Sequence, residues 1–230
     1  MSTARDTMHA AVHAVVFDMD GVLVDSERPS LALLQRLLAE AGFERTVDDL
    51  RHVCGRPAPY MRRLLEDTLP SGGAAVDAFL ERYTAGKLAQ LEAGEVRVFP
   101  GVHDLLDELA RRGIRRAVAT STHADLALQR LRRFALDDAF DAIVTGDEVR
   151  DGKPAPDIFL RAAERLGVAP ERCIVVEDSL VGVRAGRSAG MRVVALRTTF
   201  PAEALHQADL VVADAAAVLA SLDQVLAWPH

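Results

Sequence analysis

A chain of 230 residues, 50% of them apolar and 27% charged, has room for one large domain or for a core carrying a smaller insert. With 27 basic against 34 acidic residues the net charge is −7, and 5% of residues are aromatic, which leaves neither a basic stripe for nucleic acid nor a platform for stacked bases. Two cysteines, Cys54 and Cys173, make no disulfide framework or zinc site. The first residues lack the apolar stretch of a signal peptide, and no apolar run reaches the ~18 residues of a membrane span, so a reduced, cytoplasmic protein is expected.

The first apolar run, "HAVVFD" (13–18), is short and β-branched, the pattern of a strand buried on both faces. From Arg28 to Arg97 no strand pattern follows; "LALLQRLLAEAG", "APYMRRLLEDTL" and "AVDAFLERYTAGKLAQLEAG" have helical spacing, with "PSGGAA" (70–75) as a turn. That stretch is far too long for a crossover loop, and it predicts a helical domain that rejoins the first strand's sheet near "VFPGV".

Beyond it, strand and helix alternate. Helical "VHDLLDELARRG" leads to the strand "IRRAVAT" (114–120), and "HADLALQRLRRF" to "FDAIVTG" (140–146). "PDIFLRAAERLG" precedes "RCIVVED" (172–178), whose Cys173 reads as core filler, and "LVGVRAGRSAG" precedes "MRVVAL" (191–196) and "DLVVAD" (209–214). Most of these helices close on glycine. The alternation predicts a doubly wound parallel α/β sheet, Rossmann-like, from residues 1–27 and 97–230, with an all-α cap over 28–96.

Ligands of open α/β sheets bind beyond the carboxyl ends of the strands. Here the first strand runs into Asp18 and Asp20, and the second into Thr120, Ser121 and Thr122. The third leads through "TGDEVRDGKP" to Lys153, and the fourth ends in Glu177 and Asp178. Singly, each reads as a turn or a helix N-cap. Together, "DMDGVLVDSE", "VATST", "DGKPAPDIF" and "VVEDS" resemble the four motifs of the haloacid dehalogenase superfamily, in its phosphatase branch. The likeness is to the β-phosphoglucomutase and sugar-phosphate phosphatase group, and the helical insertion sits where that family carries its cap.

Carboxylates packed this closely repel: two unit charges ~4 Å apart interact by roughly 4 kcal/mol at an effective dielectric near 20. Mg²⁺, a hard ion that takes oxygen ligands, is the expected counter-charge. The resemblance implies Asp18 and Asp178 as direct ligands, the Asp20 backbone carbonyl as a third, and Glu177 as a further ligand or the holder of a metal-bound water. Asp18 is the candidate nucleophile, forming an aspartyl-phosphate. Asp20 is the candidate acid for the leaving oxygen and base for the attacking water. Gly21 swings Asp20 off the strand line and borders the substrate. The Thr120 hydroxyl and the Ser121 N–H would hold phosphoryl oxygens beside Thr122, while Lys153 bridges phosphate and Asp18. Asp25 and Ser26 read equally as a helix cap or as substrate contacts.

The helical region carries Arg51, Arg56, Arg62, Arg63 and Lys87. Arg56, in the Gly-Pro-bounded loop "CGRP" where relatives place a substrate-reading segment, is a candidate substrate contact. Ser30 stands near the mutase group's histidine, and Ala58 where that group has an arginine for a second phosphate; both departures favour hydrolysis. His123, at a helix start, is expected to face solvent. The expectation is a monomeric, Mg²⁺-dependent phosphohydrolase of a small phosphorylated metabolite, a sugar phosphate first, with no nucleic-acid or membrane partner. The alternatives are a phosphosugar mutase and a non-enzymatic phospho-acceptor signalling domain, the latter about half this length and with its acidic pair placed first.

Overall fold

The structure, a computed structural model, describes residues 12–69 and 72–228. Pro70 and Ser71 of the expected turn, and residues 1–11 and 229–230 of the expected core, lie outside them. The chain enters the sheet through β1 (Ala14–Phe17), turns through the short β2 (Val24–Asp25), and runs into four helices. These are α1 (Glu27–Glu40), α2 (Val47–Leu50), α3 (Ala58–Thr68) and α4 (Gly73–Glu92), after which β3 (Arg97–Val98) pairs back antiparallel on β2. Next come α5 (Val102–Arg111), β4 (Arg115–Ala119), α6 (Ala124–Arg133), β5 (Ala142–Val144), α7 (Asp157–Leu166) and β6 (Cys173–Glu177). The chain ends through α8 (Leu180–Ser188), β7 (Arg192–Leu196), β8 (Leu210–Val212), α9 (Ala215–Ala220) and α10 (Leu222–Leu226).

Six strands form one parallel sheet in the order β5-β4-β1-β6-β7-β8. Their β-branched runs are buried on both faces because successive side chains alternate sides. On β1, Ala14 and Val16 join the core on one face, and Val15 and Phe17 the core on the other. Cys173 and Val175 against Ile174 and Val176 divide β6 in the same way. Helices α7 and α8 cover the first face; α5, α6, α9 and α10 cover the second. The helical stripes explain the fit: Val102, Leu105, Leu106 and Leu109 of α5 recur at three- and four-residue spacing, and all four are buried. Gly167, at φ 62°, closes α7 in the left-handed conformation that glycine adopts without strain.

The helical insert folds on itself: Leu34, Leu37 and Leu38 of α1 share one apolar cluster with Val76, Phe79 and Tyr83 of α4. A capping box between Thr46 and Asp49 starts α2. Three features differ from the sequence expectation. The run 140–146 yields only a three-residue β5, because Thr145 and Glu148 cap a 3₁₀ turn over Gly146–Glu148. The β2–β3 ribbon was not foreseen, since two residues per strand carry no periodicity. Helices α9 and α10 were also not foreseen; the Asp214 side chain caps α9 by accepting from the Ala217 N–H at 3.0 Å. Among the described residues no helix is long and apolar enough to cross a membrane.

Leu109 is fully buried beneath β1 and β4, so Leu109→Ala is expected to cost about 2–5 kcal/mol of stability. Urea unfolding should show a lower midpoint with an unchanged slope.

Candidate active site

β1 is the switch point of the sheet. From it the chain builds β4 and β5 on one side and β6, β7 and β8 on the other, which opens a crevice at its carboxyl end. Asp18 leaves β1 there, Thr120 leaves β4, and Glu177 and Asp178 end β6. Lys153, from the segment between β5 and α7, reaches into this rim. Its Nζ donates to Asp18 Oδ1 at 2.5 Å, to Glu177 Oε1 at 2.8 Å and to the Ala119 carbonyl at 3.2 Å, and the residue is 1% exposed. Burial alone would favour a neutral amine, but the two carboxylates outweigh it and keep the ammonium charged.

Asp18, Glu177 and Asp178 each bring a carboxylate oxygen to within 4.8 Å of the others, and all three are buried. Burial, then the neighbouring acids, push Asp178 well above the usual carboxylate range. Burial likewise raises Asp18, against the opposing pull of Lys153. One lysine therefore does not neutralise the trio. Glu177 is held hardest: its Oε2 accepts from the backbone N–H groups of Asp178 and Ser179, both at 2.6 Å, while Oε1 faces Lys153. Asp178 Oδ2, by contrast, is buried without a partner. A buried, unpaired carboxylate oxygen beside two other acids is the donor set a hard cation takes. Gly21, at φ 81°, borders this pocket; a Cβ there would sit 1.9 Å from Asp178 Oδ2, so only glycine leaves the space open.

Asp20 is turned away from the trio and held by side chains from three places. Ser26 Oγ donates to Oδ1 at 2.5 Å, Thr122 Oγ1 donates to Oδ2 at 2.6 Å, and the Arg130 guanidinium pairs with Oδ1. Burial would raise this carboxyl, yet Arg130 and the two hydroxyls together hold it below its ordinary range. Arg130 was missed by sequence reasoning. In "LQRLRRF" it resembles its solvent-facing neighbours, but it lies on the buried stripe of α6 with Leu126, Ala127 and Leu131 and is 2% exposed. An arginine at a core position of a helix was the available signal.

The other expected residues fall as follows. Thr120 Oγ1 accepts the Thr122 N–H at 3.1 Å and lies 3.5 Å from Asp20 Oδ2. Thr122 spends its hydroxyl on Asp20 rather than on open space. Ser26 begins α1 without capping it, again because its hydroxyl serves Asp20, and Asp25 pairs with Arg28. His123 is exposed. The Ser121 hydroxyl donates to the Gly55 carbonyl of the helical insert at 2.9 Å, and Arg51 reaches the Thr199 carbonyl at 2.7 Å, so the insert lies over the rim. Next to Gly55, the Arg56 guanidinium stacks 4.4 Å from the Tyr60 ring centre, with its Nε buried and unpaired.

The sequence model of the haloacid dehalogenase-like hydrolases matches residues 15–196, which span the crevice and the insert. The chain belongs to that family. It is 38% identical over 180 residues to a phosphorylated carbohydrates phosphatase of Thermotoga maritima, covering 78% of this chain and 82% of that one. It is 33% identical over 219 residues to a phosphoglycolate phosphatase of Agrobacterium fabrum, covering 92% of each. Among solved structures, CbbY from Rhodobacter sphaeroides, a variant in complex with xylulose-(1,5)bisphosphate, superposes with a TM-score of 0.77 at 28% identity, over 89% of this chain and 95% of that one. This haloacid dehalogenase-like hydrolase is an enzyme of the phosphatase kind.

Removing the buried counter-charge should be severe. Lys153→Met leaves Asp18 and Glu177 unpaired and is expected to cost about 3–5 kcal/mol in urea unfolding. The raised carboxyls also fix a sign. A group whose folded pKa is raised adds stability below its unfolded value, near 4, and that stability is lost as pH rises through the folded value. In chelator, thermal midpoints are therefore expected to fall between pH 5 and pH 8 by more in the wild type than in Asp178→Asn.

Proposed function

We propose that the protein is a Mg²⁺-dependent phosphatase that removes phosphate from a small phosphorylated metabolite, a sugar phosphate, through an aspartyl-phosphate on Asp18. The observation that carries this reading is the placement of two aspartates at the end of β1 in opposite settings: Asp18 against Lys153 and the acid trio, Asp20 against Arg130 and two hydroxyls. The Thermotoga protein's action on phosphorylated carbohydrates, and the sugar bisphosphate bound by CbbY, support the substrate class.

In this reading the Asp18 carboxylate attacks phosphorus as the bond to the ester oxygen breaks, and the Asp20 carboxyl gives its proton to the departing oxygen. A water then attacks the phosphorus of the acyl phosphate and yields a proton to Asp20. The bond to Asp18 breaks, which returns the carboxylate and releases inorganic phosphate. The resting Asp20 is ionised, and an approaching phosphate dianion repels that charge, so substrate binding itself favours the protonated form. Thr120 and Ser121 border the phosphoryl oxygens, and Lys153 keeps Asp18 oriented and compensates part of the charge. Mg²⁺ would be held by Asp18, Asp178 and the Asp20 carbonyl, with Glu177 as a further ligand or water holder. When bound, it neutralises the phosphoryl oxygens that would otherwise repel the nucleophile.

Residues 28–96 serve as the cap that closes over substrate and excludes water. Hydrolysis is favoured over mutase chemistry because Ser30 offers a buried hydroxyl where the mutase group has a histidine, and Ala58 offers no charge for a second phosphate.

The test is phosphate release from a panel of sugar phosphates, phosphoglycolate and nucleotides, with and without Mg²⁺. Release from sugar phosphates should need Mg²⁺ and fall roughly 10³-fold or more in Asp18→Asn. No release from any member of the panel, or an unaffected Asp18→Asn, would sink the reading. In Asp178→Asn, added Mg²⁺ should no longer raise the thermal midpoint that it raises in wild type.

A further inference from the structure

The crevice has a further wall on the β7 side, built from residues outside the motifs. The chain leaves β7 through a turn in which Thr199 is buried. This turn is fastened in several directions. Thr198 Oγ1 donates to the Gly21 carbonyl at 2.5 Å, at the bend that follows Asp20. A Cβ on Gly21 would stand 2.9 Å from Thr199 Oγ1 and 1.9 Å from Asp178 Oδ2, which puts this hydroxyl beside the unpaired carboxylate oxygen. The Thr199 carbonyl, in turn, accepts from the Arg51 guanidinium of the insert at 2.7 Å.

Arg51 is itself set in place. Its Nε and one terminal nitrogen donate to Asp48 Oδ1 at 3.1 and 2.6 Å, which leaves the other terminal nitrogen aimed at Thr199. The two residues are three apart at the end of α2, so the helix fixes the direction of the guanidinium. The rest of the segment is seated just as closely on the core. A Cβ on Gly55 would meet Ser179 Oγ at 2.3 Å, and one on Gly152 would meet Pro57 at 2.7 Å. Thr199 thus carries the insert on its carbonyl and faces an acid with its hydroxyl. Threonine is β-branched and has few χ1 choices, so a shift of its backbone takes the hydroxyl with it.

We propose that Arg51 and Thr199 are positioning residues of the cation site. Arg51 holds the turn that sets the Thr199 hydroxyl beside Asp178, so that docking of the insert and uptake of Mg²⁺ favour each other. A hydroxyl next to a ligand carboxylate limits the directions in which that carboxylate can turn, and groups outside a metal's own ligands tune its binding in this way. Linkage is reciprocal: whatever factor the docked insert adds to cation affinity, the cation returns to docking. This inference rests on the Mg²⁺-dependent reading above and adds the insert to the residues that shape the cation site.

The test measures Mg²⁺ binding by titration calorimetry, without substrate, on wild type, Arg51→Met, Arg51→Lys, Thr199→Val and Thr199→Ser. Affinity should fall about 10-fold in Thr199→Val and about 5-fold in Arg51→Met, while Thr199→Ser and Arg51→Lys recover most of it. Thermal midpoints in chelator show that each variant folds. Arg51 is partly exposed, so Arg51→Met decides the matter if Thr199→Val is unstable. Amide hydrogen exchange reads the reciprocal effect at Cys54 and Arg56, whose N–H groups donate to the Arg51 and Val53 carbonyls at 3.1 and 3.2 Å. Mg²⁺ should slow their exchange in wild type and not in Asp178→Asn. An affinity within about twofold of wild type in a folded Arg51→Met or Thr199→Val overturns the inference, as does exchange at Cys54 and Arg56 that Mg²⁺ leaves unchanged. A wild type that binds no Mg²⁺ defeats the cation of the phosphatase reading along with it.

Discussion

The ammonium of Lys153, sealed between Asp18 and Glu177, is the constraint on which the rest of the site depends. Three acids at the ends of β1 and β6 cannot be buried as a group in an apolar sheet without compensation. The lysine supplies part of it, and the backbone N–H groups of Asp178 and Ser179 supply more by fixing Glu177. What is left over, an unpaired Asp178 oxygen and two carboxyls pushed up in pKa, defines the room and the charge that a cation would meet. Stability and function pull in opposite directions here, and the fold accepts a local electrostatic cost at its centre.

The same principle divides the two aspartates of β1. They are two residues apart, so one points along the strand into the trio while the other is carried round the bend at Gly21. Asp18 lies among acids and rises; Asp20 lies against an arginine and two hydroxyls and falls. In the mechanism proposed above, opposite environments for two chemically identical side chains would let one attack while the other moves protons.

Much of this was legible in the sequence because apolar strands end abruptly in polar residues, and the sheet topology must bring those ends together. Asp18, Thr120, Lys153, Glu177 and Asp178 do converge on one rim. What was not legible depends on side-chain direction. Ser26 occupies a helix N-cap position, and only its coordinates show the hydroxyl leaving the helix for Asp20. Arg130 stands in a run of arginines where charge predicts solvent, although its place on the apolar stripe of α6 points inward. Thr122 was expected beside the substrate, and that its hydroxyl would donate to Asp20 could not be read from the sequence.

The two-residue ribbon has an architectural consequence. Val24 pairs with Val98 and Asp25 with Arg97, so the chain leaves and re-enters the sheet domain through adjacent, hydrogen-bonded positions. An insert whose ends are already joined adds little closure entropy as it lengthens or shortens. The helices between them can diverge, or be exchanged for another module, while strand order and the rim of acids stay as they are. A lineage built on such a frame can explore new substrates without reinventing its chemistry.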